Sequence, residues 1–157
     1  MKTPRRKRRA ETIETEAPPR VALDTGVLLH ALLLSDDKAK QLRRAWLDGA
    51  CVPLVDARSA QALMRALAYP VLQLEAAQQH ELLADFLPYA EVVGTVVSAR
   101  GTVSPAVQLA ASDQARADCL VSDCEAARAR FAKQFSRNER SHCRLLSSAE
   151  FLAGLAA

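Results

Sequence analysis

Apolar residues along this chain fall into short continuous runs separated by longer stretches with helical spacing. Val21, Ala22 and Leu23 form the first run, and its unbroken apolar character suits a strand buried on both faces. CVPLV (51–55), the apolar part of ADCLVSD (117–123) and CRLLS (143–147) are further strand candidates. EVVGTVVSA (91–99) is β-branched and loosely alternating, which predicts one strand or a pair of short ones. Helices are predicted between them. The first covers VLLHALLL after Gly26. The second spans 35–48, where Ala39, Leu42, Ala45, Trp46 and Leu47 share a face, with Ser35 or Asp36 as cap and Gly49 as stop. The third runs from Ala57 to Ala68 ahead of Pro70, with Leu63, Met64 and Leu67 on its core face. A fourth begins at Glu75 and ends near Pro88. Ser104 and Pro105 open a fifth, as cap and first helical residue. A basic stretch, CEAARARFAKQFSRNERS, gives a sixth, and SAEFLAGLAA, capped by Ser147 or Ser148, a seventh. Strands interspersed with helices throughout the chain predict an α/β fold of three layers, α/β/α and Rossmann-like, around a central parallel sheet of about five strands.

A length of 157 residues allows one domain and a tail. Residues 1–19 are rich in charge and proline and read as a disordered basic tail, which leaves 20–157 as the domain. Seven of the basic groups and three of the acids lie in residues 1–20. The remainder holds 14 basic groups against 15 acids, so the domain as a whole is no basic nucleic-acid binder. Its apolar runs are too short to span a membrane, and no secretory segment opens the chain, so a cytoplasmic protein is expected. Cys51, Cys119, Cys124 and Cys143 form no CxxC pair, which argues for free thiols, at least two of them small core residues, rather than a structural zinc site. His30, His80 and His142 show no spacing that marks a metal or catalytic pair.

Chemistry concentrates where apolar strands end in acids. Asp24 follows Val21–Leu23, and Asp123 follows the run at 119–121. In open α/β sheets the carboxyl ends of the strands are where ligands bind. A carboxylate at such a point is either a cap for the next helix or a ligand for a cation, and one group can do both.

These acids, within this alternation, resemble the PIN domain family, in particular the group of toxins from bacterial toxin–antitoxin modules. VALDTGVLLHALL is similar to the family's opening VLDTNVLVSALL. AQALMRALAYPVL falls where the family has a segment like EELRRVLARPKL, SPAVQLAASDQARADCLVSD matches DPDDDKFLALALAAGADYLVTGD, and LLSSAEFL resembles ILTPREFL. The resemblance covers about residues 20–153. It implies a metal-dependent ribonuclease in which three or four carboxylates hold Mg²⁺ or Mn²⁺, activate a water and offset charge on the phosphate.

The chain keeps only part of that acid set. Asp24 matches the first acid, but the asparagine two positions on is Gly26. Ala62 stands at the second acid and Ala106 at the third. Asp123 matches the last only with a one-residue gap; without it the place falls on Cys124. Asp56, before the third helix, is a candidate replacement ligand, while Asp113 and Asp118 restore nothing. The resemblance therefore implies a nuclease with an incomplete site and weak or lost cleavage, in which Asp24 and Asp123 are the catalytic candidates and Asp24, Asp123 and Asp56 the metal candidates. Arg128, Arg130, Lys133 and Arg137 follow Asp123 on the basic helix and are candidates for RNA phosphate contact; alternatively they form a solvated face whose Phe131 and Phe135 pack inward. The alternatives are a non-catalytic PIN-fold module for single-stranded RNA or a protein partner (an antitoxin-like chain or a second copy), and a generic α/β domain whose strand-end acids are helix caps.

Overall fold

A computed structural model describes residues 17–94, 104–136 and 143–156. Five strands, β1 (Arg20–Leu23), β2 (Val52–Val55), β3 (Glu91–Val92), β4 (Cys119–Val121) and β5 (Arg144–Leu146), form one sheet in the order β3-β2-β1-β4-β5. Every pairing is parallel. Among the described residues seven α-helices accompany them: α1 (Thr25–Leu33), α2 (Asp37–Leu47), α3 (Ala57–Leu67), α4 (Ala76–Ala84), α5 (Pro105–Ala111), α6 (Glu125–Ser136) and α7 (Ser148–Ala156). The architecture is the expected α/β/α sandwich with a five-stranded parallel sheet.

Strand pleating divides the core in two, because successive side chains leave opposite faces of the sheet. Val21, Leu23, Val55, Cys119 and Val121 pack with residues of α1, α2, α3 and α7, and with Phe86. Ala22, Leu54 and Leu120 point the other way, onto Ala106, Val107, Leu109 and Ala110 of α5 and Ala127 and Phe131 of α6. The chain steps outward from β1 to β3, then returns past β1 to β4. β1 and β4 are therefore neighbours that lead away in opposite directions, which is the topological switch point of a doubly wound sheet. Leu23 pairs with Val121, so Asp24 and Ser122 emerge side by side there.

Local boundaries follow the capping chemistry. Asp36 rather than Ser35 caps α2, its Oδ1 accepting the Ala39 amide at 2.8 Å. Gly49 closes that helix at φ +73°, a left-handed conformation that costs glycine little. The fourth helix stops at Ala84, earlier than expected near Pro88. Phe86 leaves the helical region at φ −126°, and Pro88 is accommodated in the first turn of a separate 3₁₀ helix, Leu87–Tyr89. Trp46 fixes the stop by donating Nε1–H to the Asp85 carbonyl at 3.0 Å, and packs edge-on against fully buried Phe86 with ring centres 5.1 Å apart. Ser104 does not cap α5 with its side chain as expected. Its hydroxyl donates instead to Asp24 Oδ1. Asp113 lies beyond the end of α5. Residues 1–16, the strand expected at 95–99, and Arg137 with the end of the basic stretch lie outside the described residues. No described helix is long and apolar enough to cross a membrane.

Candidate functional site

At the carboxyl edge of the sheet each strand-end acid has a defined set of partners. Asp24 is the N-cap of α1, and its Oδ1 accepts the Thr25 amide at 2.9 Å. The same oxygen accepts the Ser104 hydroxyl at 3.1 Å, and Oδ2 accepts the Ser122 hydroxyl at 2.8 Å. Ser122 is fully buried, and its Oγ also accepts the Cys124 amide at 3.2 Å. A half-buried carboxylate thus gathers the starts of α1, α5 and α6 and the end of β4 around itself.

Asp123 turns to a different set. Its Oδ1 accepts the Ser148 amide at 2.9 Å, its Oδ2 accepts the buried Ser148 hydroxyl at 2.7 Å, and the Lys38 ammonium lies 3.5 Å from Oδ2. Burial pushes the Asp123 carboxyl up, but the Ser148 hydroxyl and amide and the charge of Lys38 outweigh it and hold the group below its ordinary value. Asp123 therefore ties the loop after β4 to the start of α7. Ser147 and Glu150 complete that start reciprocally: the Ser147 amide donates to Glu150 Oε1 at 2.9 Å, and the Glu150 amide to Ser147 Oγ at 3.1 Å.

Asp56 is buried at 4% exposure and caps α3. Its Oδ1 accepts the Ser59 amide at 2.8 Å, while the Ser59 hydroxyl lies 2.9 Å from the Asp56 amide, which donates to it. All three candidate acids thus spend oxygen lone pairs on amides at helix starts. Asp118 is structural as well, accepting the Arg20 amide at 2.8 Å where β1 begins.

The donor chemistry bears on a metal directly. A hard divalent ion requires oxygens whose lone pairs are open to it. Three protein donors converge on Asp24, and two donors plus an ammonium on Asp123. Among the described residues no group of three or more His, Cys, Asp or Glu side chains is placed to hold a metal. As arranged, this donor set does not fit Mg²⁺ or Mn²⁺; seryl hydroxyls and a lysine supply the positive partners that an ion would supply.

On the basic helix, Arg128 is half-buried, donates Nη1–H to the Ser122 carbonyl at 3.1 Å and lies 3.8 Å from Glu150 Oε1. It braces the edge from the α6 side. Arg130 and Lys133 are exposed on the same helix, and Phe131 is buried beneath them. Sequence reasoning missed Ser104, Ser122, Ser148 and Lys38 as members of this edge. Ser122 could have been found from its place between an apolar strand and an acid. Lys38 carries no such signal, because only the packing of α2 beside α7 brings it to Asp123.

Fold and edge together define a doubly wound α/β domain with two strand-end aspartates, each held by its own partners, at its switch point. Compared with protein families, with curated proteins and with solved structures, the chain finds no match in any of the three.

Proposed function

We propose that this chain is a PIN-like domain related to the metal-dependent ribonuclease toxins, in which the acid set has decayed and RNA cleavage is weak or lost. The observation that carries this reading is the fate of the two aspartates. They leave adjacent strands at the ligand-binding edge, yet each is committed to serine and amide donors instead of sharing a cavity with further acids. Ala62 and Ala106, at the places of the absent acids, carry no oxygen to complete a cation site. Residual RNA contact would fall to Arg130, Lys133 and Arg137 on the basic stretch and to the N-terminal run PRRKRR, all acting on phosphates without base readout.

A second reading is favoured by the capping itself. Because Asp24, Asp56 and Asp123 all bond helix-start amides, the edge is self-sufficient as a scaffold, and the domain would then serve only as a binding module. Labelled single-stranded RNA, incubated with Mg²⁺, Mn²⁺ or EDTA and run beside a low-salt mobility shift, tests both. Retention without cutting, or slow cutting, is expected. Rapid Mn²⁺-dependent cutting that Asp24→Asn abolishes would overturn the loss of cleavage, and absence of both cutting and shift would end the RNA reading.

A further inference from the structure

Asp37, Lys40, Gln41, Arg43, Arg44 and Leu47 of α2 line an open depression of about 530 Å³. Small-ligand sites run from roughly 300 to 1,000 Å³. Lys40 and Arg44 are exposed one helical turn apart, and no ion pair among the described residues includes either. Like charges at that spacing repel within a helix, and a bound anion removes the repulsion. Arg43 is fixed beside them, its Nη1 donating to the carbonyls of Ala31 and Leu34 at the end of α1. Both bonds leave from Nη1, so Nε and Nη2 are not spent on them. A guanidinium already held in place loses little freedom when it meets an anion.

The rest of the lining narrows the chemistry of that anion. Three cations against one carboxylate favour a phosphate group, which accepts from several N–H donors at once. No aromatic residue lines the depression, so a nucleotide base or a nucleic-acid strand has no ring to stack on. Asp37 would repel a bare phosphate. It is exposed, no ion pair among the described residues includes it, and Gln41 follows one turn on. A carboxylate and an amide so placed accept from and donate to hydroxyl groups. Leu47, three residues beyond Arg44, keeps 47% of its surface exposed and offers an apolar rest for a carbon skeleton.

We propose that the α2 depression binds a phosphate ester of a small hydroxyl-rich molecule, a phosphorylated sugar or polyol. Lys40, Arg43 and Arg44 take the phosphate, and Asp37 and Gln41 take the hydroxyls. The site uses no residue of the carboxyl edge and is independent of either reading of it.

Amide NMR of the full chain, titrated separately with glucose 6-phosphate, glucose, inorganic phosphate and single-stranded RNA, tests it. Glucose 6-phosphate should shift the amides of residues 37–47 and bind more tightly than glucose or phosphate alone. Lys40→Ala with Arg44→Ala should weaken it by roughly tenfold to a hundredfold, the loss expected for charge-assisted hydrogen bonds. Asp37→Ala separates a built site from a positive surface by sign. Removing an acid tightens any anion through charge alone, whereas losing a hydroxyl partner should weaken glucose 6-phosphate by about twofold to tenfold while inorganic phosphate binds as well or better. Unchanged amide spectra away from α2 show that each variant folds. The proposal is overturned by α2 amides that do not respond, by glucose 6-phosphate binding no tighter than inorganic phosphate, or by an Asp37→Ala that tightens both. A Lys40→Ala, Arg44→Ala variant that binds as wild type, or RNA that takes this face more tightly than the sugar phosphate, overturns it too.

Discussion

Replacing Asp24 by asparagine separates a structural acid from a metal ligand by the sign of its effect on stability. The side chain now accepts from the Thr25 amide and from the Ser104 and Ser122 hydroxyls, at 2.9, 3.1 and 2.8 Å. Asparagine caps a helix about as well as aspartate, so the Thr25 contact survives. One oxygen becomes an amide nitrogen, however, and it cannot accept a hydroxyl hydrogen. With Oδ1 kept for Thr25 and Ser104, the loser is Ser122, which donates to Oδ2 and whose buried Oγ already takes the Cys124 amide. Losing a charge-assisted bond and stranding one buried donor costs about 1–3 kcal/mol. For a domain of this size that is a fall in Tm of roughly 2–12 °C. Asp24→Ala, which removes the cap as well, should cost about 1 kcal/mol more. Urea unfolding in EDTA measures both, and a double-mutant cycle with Ser122→Ala should return a coupling of about 1 kcal/mol. A ligand aspartate kept among other carboxylates for an absent cation behaves in the opposite way: neutralising it relieves repulsion and stabilises the ion-free protein. A stabilised Asp24→Asn, or a coupling near zero, would refute the capping argument.

Four further outcomes follow from the same geometry. Because the Asp123 carboxyl is held below its ordinary value, its contribution is fully present above that value and is lost as pH falls through the folded one; the stability gap between wild type and Asp123→Asn should close below about pH 4 in acid titrations. In native protein only exposed Cys124 should react quickly with a thiol reagent, since burial pushes Cys51 and Cys143 up to about 12 and Cys119 up to about 11; four rapid equivalents would contradict the core placement. Arg116 adopts φ +49°, a left-handed conformation unfavourable for a side chain, so Arg116→Gly should leave stability unchanged or raise it by up to about 1 kcal/mol, and a clear loss in urea unfolding would refute the strain. Restoring acids through Ala62→Glu with Ala106→Asp should create Mn²⁺ affinity detectable by calorimetry, if the edge descends from a metal site; a folded variant with no affinity would count against the PIN-like reading.

How much of this was legible in the sequence depended on whether the cause was local. Strand-end capping is local: a carboxylate next to free helix amides is visible in the order of residues. Asp24 takes the cap role that its residues left open beside that of a ligand, Asp56 caps α3 although it was read only as a replacement ligand, and Asp36 resolves an open choice by the reach of its side chain to Ala39. The fourth helix was read too long because its end is set at a distance, by Trp46 on α2 capturing the Asp85 carbonyl. Ser104 stands at the N-cap position with Pro105 first in the helix, as read, but its side chain makes no cap bond: its hydroxyl donates to a carboxylate 80 positions away that only the fold brings within reach.

The same distinction governs the candidate site. The sequence exposes which oxygens are present, and so Ala62 and Ala106, the places where the resemblance would put acids, are seen to carry none. It does not expose which positive partners the surviving acids meet, because Lys38 and Ser148 arrive from helices that only the tertiary packing brings to the edge. A strand-end aspartate is chemically ambiguous until its donors are counted. Here serines, amides and one lysine already balance both carboxylates. On the PIN-like reading proposed above, the loss of an acid from such an edge would carry little penalty in stability, whereas Asp24 and Asp123 keep a structural role as acceptors for helix-start amides whatever the chemistry of the edge.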